Sequence, residues 1–328
     1  MGKIGHKERI WMGRIAFLFP GQGAQHVGMG IDFIDSCRSS KEIFEEASDS
    51  LGYDMLKLCQ EGPQEELNKT EITQPSILTA SAAVLAAVTE KGFDCDYTAG
   101  LSLGEYNSLI KADAMKFSDA VKVVRERGRF MQEVVPIGKG GMAAIIGFST
   151  DKLKDVLITA SEYGIVELAN FNSPQQLVIS GEIKAVEKAV IIAKDKGALK
   201  AIMLPVSAPF HSSMLKPAAA KLHEVLKTVN IRQLNKLVIS NADAKVLKGS
   251  DEVVPSLVKQ VNHSVLWVPS IELMIDEGVD TFVEIGPGKA LAGFVKRIAR
   301  GKEAKVNIHN IYDKMTLDNF CSKMNGEV

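Results

Sequence analysis

The stretch Tyr97-Thr98-Ala99-Gly100-Leu101-Ser102-Leu103-Gly104 constrains the fold more than any other. It sets a serine between two glycines at G-x-S-x-G spacing, directly after a strand-like segment. The glycines let a strand and the following helix pass close together. The strained turn between them projects the serine Oγ and leaves the next backbone N–H free to stabilise an oxyanion. Ser102 is therefore the leading candidate nucleophile. Small residues around a serine also occur in ordinary strand-to-helix turns, so the motif alone leaves that plainer reading open.

The surrounding pattern agrees with a sheet whose strands feed helices. Arg14 to Phe19 is a β-prone run ended by Pro20-Gly21, Ser76 to Val88 reads as a long Ala-rich helix, and Tyr97 to Leu101 as a strand. This alternation predicts a mainly parallel α/β sheet. After a helix ending near Val134, the segment Pro136-Ile137-Gly138-Lys139-Gly140-Gly141 breaks the pattern. A compact series follows: strand Met142 to Ile146, helix Asp151 to Ser161, strands Val166 to Ala169 and Gln176 to Ser180, helix Ile183 to Lys194, strand Lys200 to Leu204. Its β-α-β-β-α-β order is ferredoxin-like and reads as a small inserted domain. Pro205 returns the chain to the main body, where helices near Leu215 to Leu226, Val253 to Gln260 and Val268 to Asp276 lead to strand Thr281 to Ile285 and a final helix from Ala290. The expected boundaries are an N-terminal extension at 1–13, a large domain at 14–136 and 206–328, and the insert at 137–205.

With 328 residues, 46% hydrophobic and 24% charged, the chain can bury a large core. A formal net charge of -1 removes the usual electrostatic argument for nucleic acid or an anionic membrane as partner. Cys37, Cys59, Cys95 and Cys321 are scattered, with no C-x-x-C pair and no Cys/His spacing suited to zinc, so neither a metal nor a disulfide framework is expected. That composition fits a reducing cytoplasm. No apolar run approaches the roughly 20 residues of a membrane span, and Met1 to Met12 reads as a dispensable, mildly basic extension.

Two glycine-rich loops invite other readings. Phe19 to Gln25 follows the first strand as a dinucleotide loop would, but His26 occupies the sixth position of G-x-G-x-x-G. Gly286-Pro287-Gly288-Lys289 has Val283 and Ala290 where a Walker A motif needs glycine and a hydroxyl. Serine chemistry needs a base, and of six histidines His211 is the best placed. It lies in the loop-like Ser207 to Ser212 at the return to the main domain, whereas His223 falls within an amphipathic helix and His6 in the extension. Arg125, Arg127 and Arg129 share the helix Val121 to Gln132, where a solvated face accounts for two of the three. A buried one would imply a carboxylate or phosphate held by a bidentate fork.

Together these segments resemble the malonyl-CoA:acyl carrier protein transacylase family from Arg14 to about Ile311. Seven motifs in the family's order carry the likeness: FPGQGAQ (19–25), TQPSI (73–77), GLSLGEY (100–106), RGRFMQ (127–132), NFNSPQQLVISG (170–181), SAPFHSSML (207–215) and EIGPGKAL (284–291). The resemblance implies an α/β-hydrolase-like large domain carrying a ferredoxin-like insert. It implies Ser102 as nucleophile, His211 as base, the backbone amides of Gln22 and Leu103 as oxyanion hole, and Arg127 as clamp for the malonyl carboxylate. Gln260 corresponds to the glutamine near which a main-chain carbonyl holds the histidine, so no third acidic member is needed.

The implied reaction is a ping-pong malonyl transfer from malonyl-CoA to the phosphopantetheine thiol of acyl carrier protein. It supplies extender units for fatty acid synthesis and needs no metal and no cofactor; malonyl-CoA is a substrate, and CoA is released from it. The expected setting is a cytoplasmic monomer. Rival readings are a thioesterase or lipase-like hydrolase using the same elbow, a polyketide-pathway acyltransferase, and a degenerate docking module. Leu101 departs from the family, which commonly has histidine there. Phe210 resembles the bulky residue of malonyl-selective members, and Lys296, Arg297 and Arg300 are candidate contacts for an acidic carrier.

Overall fold

The computed structural model describes residues 13–206 and 208–326, so residues 1–12 of the expected extension at 1–13 lie outside the described residues. Nine strands form two sheets among these residues: β1 (Arg14–Phe19), β2 (Tyr97–Gly100), β3 (Gly140–Ile146), β4 (Val166–Ser173), β5 (Gln176–Glu182), β6 (Lys200–Met203), β7 (Leu237–Val238), β8 (Val279–Ile285) and β9 (Asn307–Ile311). The larger sheet has the order β7-β2-β1-β8-β9 and is parallel throughout. The smaller has the order β4-β5-β3-β6 and is antiparallel, as the ferredoxin-like order requires.

β1 runs through the centre of the large sheet, and its alternation explains the layers. Ile15, Phe17 and Phe19 face a cluster with Val84, Val88 and Phe320, while Ala16 and Leu18 face Trp267, Ile271 and Phe294. Helices therefore cover both faces, which is why the strand reads as continuously apolar. Phe19 pairs with Gly100 and Leu18 with Glu284, so the turns after β1, β2 and β8 gather at one end of the sheet. Open parallel sheets bind ligands at that carboxyl end.

In the insert, Ala143, Ile145, Leu177 and Ile179 pack against Leu153, Val156, Val186 and Ala189 of its two helices. The opposite sheet face turns Met142 and Val178 toward the large domain. The edge of β4 is stitched to the body: Val265 N–H donates to the Ala169 carbonyl at 2.8 Å, and Phe171 N–H to the Val265 carbonyl at 3.0 Å.

Three sequence expectations change. The Ala-rich helix is Thr70–Glu90, beginning six residues before Ser76 and running through Pro75. Proline removes one backbone bond there, but packing on nearly all sides outweighs that loss. At 21 residues this helix is long and apolar enough to cross a membrane, contrary to the expectation that no such run exists; most of it is buried as the central helix of the core. The helix Ala290–Gly301 is not the last, because β9 and the helix Lys314–Met324 follow it.

Candidate active site

The turn after β2 owes its shape to two close approaches. A Cβ on Gly100 would stand 1.9 Å from the carbonyl carbon of Gly104, and one on Gly104 would stand 2.2 Å from the Phe19 carbonyl oxygen. Only glycine fits either position. Between them Ser102 adopts φ 53°, a left-handed conformation that costs energy for any residue with a side chain. Its own N–H is occupied, donating to Asn241 Oδ1 at 2.6 Å, while Asn241 Nδ2 donates to the Gly100 carbonyl at 2.7 Å. One side chain thus braces both ends of the turn.

Leu103 N-caps the helix Gly104–Lys111 and lines the cleft with Gln22. Among the described residues neither of these two amide N–H groups donates a hydrogen bond within the protein. Both are therefore available to an incoming oxygen beside Ser102.

His211, buried and also left-handed at φ 60°, brings Nε2 to 2.8 Å from Ser102 Oγ. Its Nδ1 lies 2.8 Å from the main-chain oxygen of Gln260. A carbonyl can only accept, so Nδ1 carries the proton and Nε2 presents its lone pair to the serine. His211 is held down at about 4, first by burial and second by the charge of Arg127, so the ring is neutral at pH 7. His26, His223 and His263 are exposed on the surface.

Arg127 sits on the helix Phe117–Val134, somewhat longer than the Val121 to Gln132 expected. A Cβ on its neighbour Gly128 would lie 2.6 Å from the Thr70 carbonyl, so glycine lets this helix press against the start of Thr70–Glu90. The contact delivers Gln74 to Arg127: Nη1 donates to Gln74 Oε1 at 2.8 Å. Nη2 donates to Gln260 Oε1 at 2.9 Å and to Ser102 Oγ at 3.0 Å. The guanidinium is almost wholly buried, borders the cleft, and holds no ion pair with a carboxylate among the described residues. Desolvation lowers its pKa accordingly. By contrast Arg129 pairs with Glu126 and Glu133, and Arg125 lies over the Tyr53 ring. Burial thus separates one arginine of the three from its surface-facing neighbours.

The cleft, about 930 Å³, runs between the carboxyl end of the large sheet and the open face of the insert. Gln22, Leu101, Ser102 and Arg127 line it from one side, and Met142, Asn170 and Val178 from the other, with Phe210 beside His211. Leu101, expected to depart from the family, packs on the apolar cluster behind the sheet and sets its carbonyl against Gly21. Lys296, Arg297 and Arg300 are exposed on the helix Ala290–Gly301. Among the described residues no three His, Cys, Asp or Glu side chains stand together as metal ligands do.

Sequence reasoning passed over three residues of this arrangement. Gln74 lies in the TQPSI segment (73–77), whose sequence points to no role for it. Asn241 had no signal at all. Glu105, one turn below the nucleophile, is fully buried, accepting from Gln260 Nε2 at 2.7 Å and from Asn241 N–H at 3.1 Å.

A serine beside a neutral imidazole, two free amides and a buried cation form the equipment of a serine acyl-transfer enzyme that takes a negatively charged acyl group. Residues 16–316 match the family described as acyl transferase domain. The malonyl CoA-acyl carrier protein transacylase of Bacillus subtilis (strain 168) is 48% identical over 290 residues, covering 88% of this chain and 92% of that protein. The crystal structure of malonyl CoA-acyl carrier protein transacylase from Clostridium perfringens ATCC 13124 superposes with TM-score 0.91 at 47% identity, covering 96% and 98% of the two chains. A malonyl-transacylase in complex with its type II PKS acyl-carrier protein gives TM-score 0.91 at 39% identity, covering 94% and 99%. The chain belongs to the malonyl-CoA:acyl carrier protein transacylase family.

Proposed function

We propose that the chain transfers malonyl from malonyl-CoA to the phosphopantetheine thiol of acyl carrier protein, supplying extender units for fatty acid synthesis in the cytoplasm. Residues 14–136 and 206–328 form the catalytic body, and 137–205 the opposite wall of the cleft. Ser102 Oγ attacks the thioester carbonyl while His211 Nε2 takes its proton. The carbonyl oxygen gathers charge against the amides of Gln22 and Leu103. Collapse expels CoA, whose sulfur recovers the proton from His211, and leaves a malonyl-serine ester. The carrier thiol then repeats the sequence, its proton passing to His211 and on to Ser102 as the new thioester forms. Ester and thioester exchange without electron transfer, so the chemistry calls for no redox cofactor.

The observation that carries this reading is Arg127 Nη2 at 3.0 Å from Ser102 Oγ. A buried guanidinium beside a nucleophile is costly unless the substrate brings its own anion. A malonyl group bound to that oxygen places its free carboxylate within reach. A hydrolase would have no use for the cation, and the carbonyl at His211 Nδ1 stands where hydrolase triads carry a carboxylate. Intact-mass measurement tests the proposal. Malonyl-CoA should add one malonyl group to the enzyme and, with holo carrier protein, move it to the carrier. A Ser102→Ala chain that still gained the mass, or free malonate released faster than carrier was loaded, would refute it.

A further inference from the structure

Gln260, on the helix Val253–Val261, is where the parts of the site meet. Its main-chain oxygen accepts from His211 Nδ1 and its Oε1 from Arg127 Nη2, while its Nε2 donates to the Ser102 carbonyl at 2.9 Å. An amide has one accepting and one donating end, so its usefulness depends on which way it faces. Beneath it lies Glu105, fully buried and absent from the cleft wall. Glu105 Oε2 accepts from Gln260 Nε2 and from Asn241 N–H, and Oε1 accepts from Ser256 Oγ at 3.4 Å.

We infer that Glu105 is a positioning residue: its Oε2, together with the Ser102 carbonyl, holds the Gln260 amide in the one orientation that offers an oxygen to Arg127. With the amide turned over, its oxygen would face the Glu105 oxygen and its NH₂ would face the guanidinium. Both contacts would be repulsive, and burial of all three side chains leaves that repulsion poorly screened. Arg127 would lose an acceptor and its fixed place beside Ser102.

The lock survives protonation of Glu105, which burial raises to about 7. A proton on Oε1 is donated to Ser256 Oγ, leaving Oε2 to accept as before. The hydroxyl of Ser256 has Ser240 Oγ at 2.8 Å as its other partner, so it can reverse its role. It follows that an amide at position 105 can hold Gln260 and an apolar side chain cannot.

This inference rests on the malonyl transfer proposed above. Its test is the ratio of kcat/KM for malonyl-CoA to that for acetyl-CoA, which cancels the fraction of enzyme that is folded. Glu105→Met, unbranched and apolar, should lower the ratio about tenfold by freeing Arg127. Glu105→Gln should recover most of it. In a Gln260→Ala background Glu105→Met should change the ratio less than about twofold, because the amide it acts through is gone. If Glu105→Met yields no folded protein, Glu105→Ala, which opens a cavity instead of facing polar neighbours with a thioether, carries the same comparison. An unchanged ratio in the apolar variant would overturn the inference. So would a loss in Glu105→Gln as deep as in Glu105→Met, or a full effect in the Gln260→Ala background. A wild-type chain that fails to prefer malonyl-CoA, or keeps its preference in Arg127→Ala, would refute the transfer reading itself.

Discussion

Arg127 has a second effect on the chemistry, through His211, and it can be measured apart from substrate binding. Arg127 Nη2 and His211 Nε2 contact the same serine oxygen, so the two charges would stand within about 6 Å of each other if the imidazole were protonated. His211 lies at about 4 instead of the ordinary 6.5, with burial the larger cause and Arg127 the next. Removing the arginine charge alone should therefore restore only part of the drop. Replacing it with the neutral Arg127→Gln removes the repulsion and leaves the burial, so His211 should titrate above 4 but below the ordinary 6.5. The assay is kcat/KM for acylation by acetyl-CoA from pH 3.5 to 8, because acetyl has no carboxylate for the arginine and kcat/KM reports the free enzyme. The wild-type acid limb should fall near pH 4 and that of Arg127→Gln at higher pH. A wild-type limb near 6.5, or a limb in the variant that stays put or moves lower, would refute the reasoning. The same depression has a stability consequence of definite sign. The folded state binds this proton more weakly than the unfolded chain, so its contribution is present above pH 6.5 and lost as pH falls toward 4, about 3 kcal/mol in all. Glu105 and Glu284, both raised to about 7 by burial, act in the opposite sense: their contribution is present below about 4.5 and lost as pH rises through 7.

Arg127→Ala should cost malonyl transfer about 2 to 3 kcal/mol, on the order of 10²-fold, while acetyl transfer changes little; equal losses in parallel single-turnover assays would remove the clamp. Gly100→Ala must push a methyl into the Gly104 backbone at 1.9 Å, so thermal unfolding should show a loss of about 3 kcal/mol, together with slower acylation of Ser102. A variant with unchanged Tm would show that the turn can relax. Glu284 accepts from the N–H groups of Leu291 and Ala292 at 3.2 and 2.8 Å, capping the helix Ala290–Gly301. Glu284→Ala should lower stability in denaturant by about 2 kcal/mol, and an unaltered midpoint would mean that water replaces the cap.

What was legible in the chain is what a short contiguous stretch can force. The strand-glycine-serine-glycine turn, the insert's β-α-β-β-α-β order and the loop around His211 each follow from local spacing, and each lies where that spacing predicts. What escaped depends on distant encounters. Glu105 meets Asn241 across 136 residues and Gln260 across 155, and nothing in the helix patterns marks those positions. Gln74 falls outside the helix expected from Ser76 to Val88; core packing carries that helix through Pro75 and back to Thr70. β9 was hidden by its polar letters, Asn-Ile-His-Asn-Ile, on an edge strand only partly buried. The three arginines shared one periodic helix, and residue pattern alone left their burial open. Gly128 held the physical clue, since a helix that must press against a neighbour at that glycine buries the residue beside it.

The neutral partner of His211 follows from the presence of Arg127. Gln260 serves both, its carbonyl on the imidazole and its side-chain oxygen on the guanidinium. A carboxylate placed at His211 Nδ1, as in a hydrolase triad, would lie within a few ångströms of Arg127 and form a buried ion pair with it. The cation would then be satisfied before any substrate arrived, and the malonyl carboxylate would have to displace an internal rival. A carbonyl fixes the same tautomer without spending the positive charge. His211 gives up the help that an anion offers to an imidazolium, and in the second half-reaction the pantetheine thiol, unlike water, is acidic enough to need less of it. On the roles proposed above, selectivity for an anionic acyl group and a carbonyl in place of an acidic residue are one arrangement, centred on Gln260 and braced from below by Glu105.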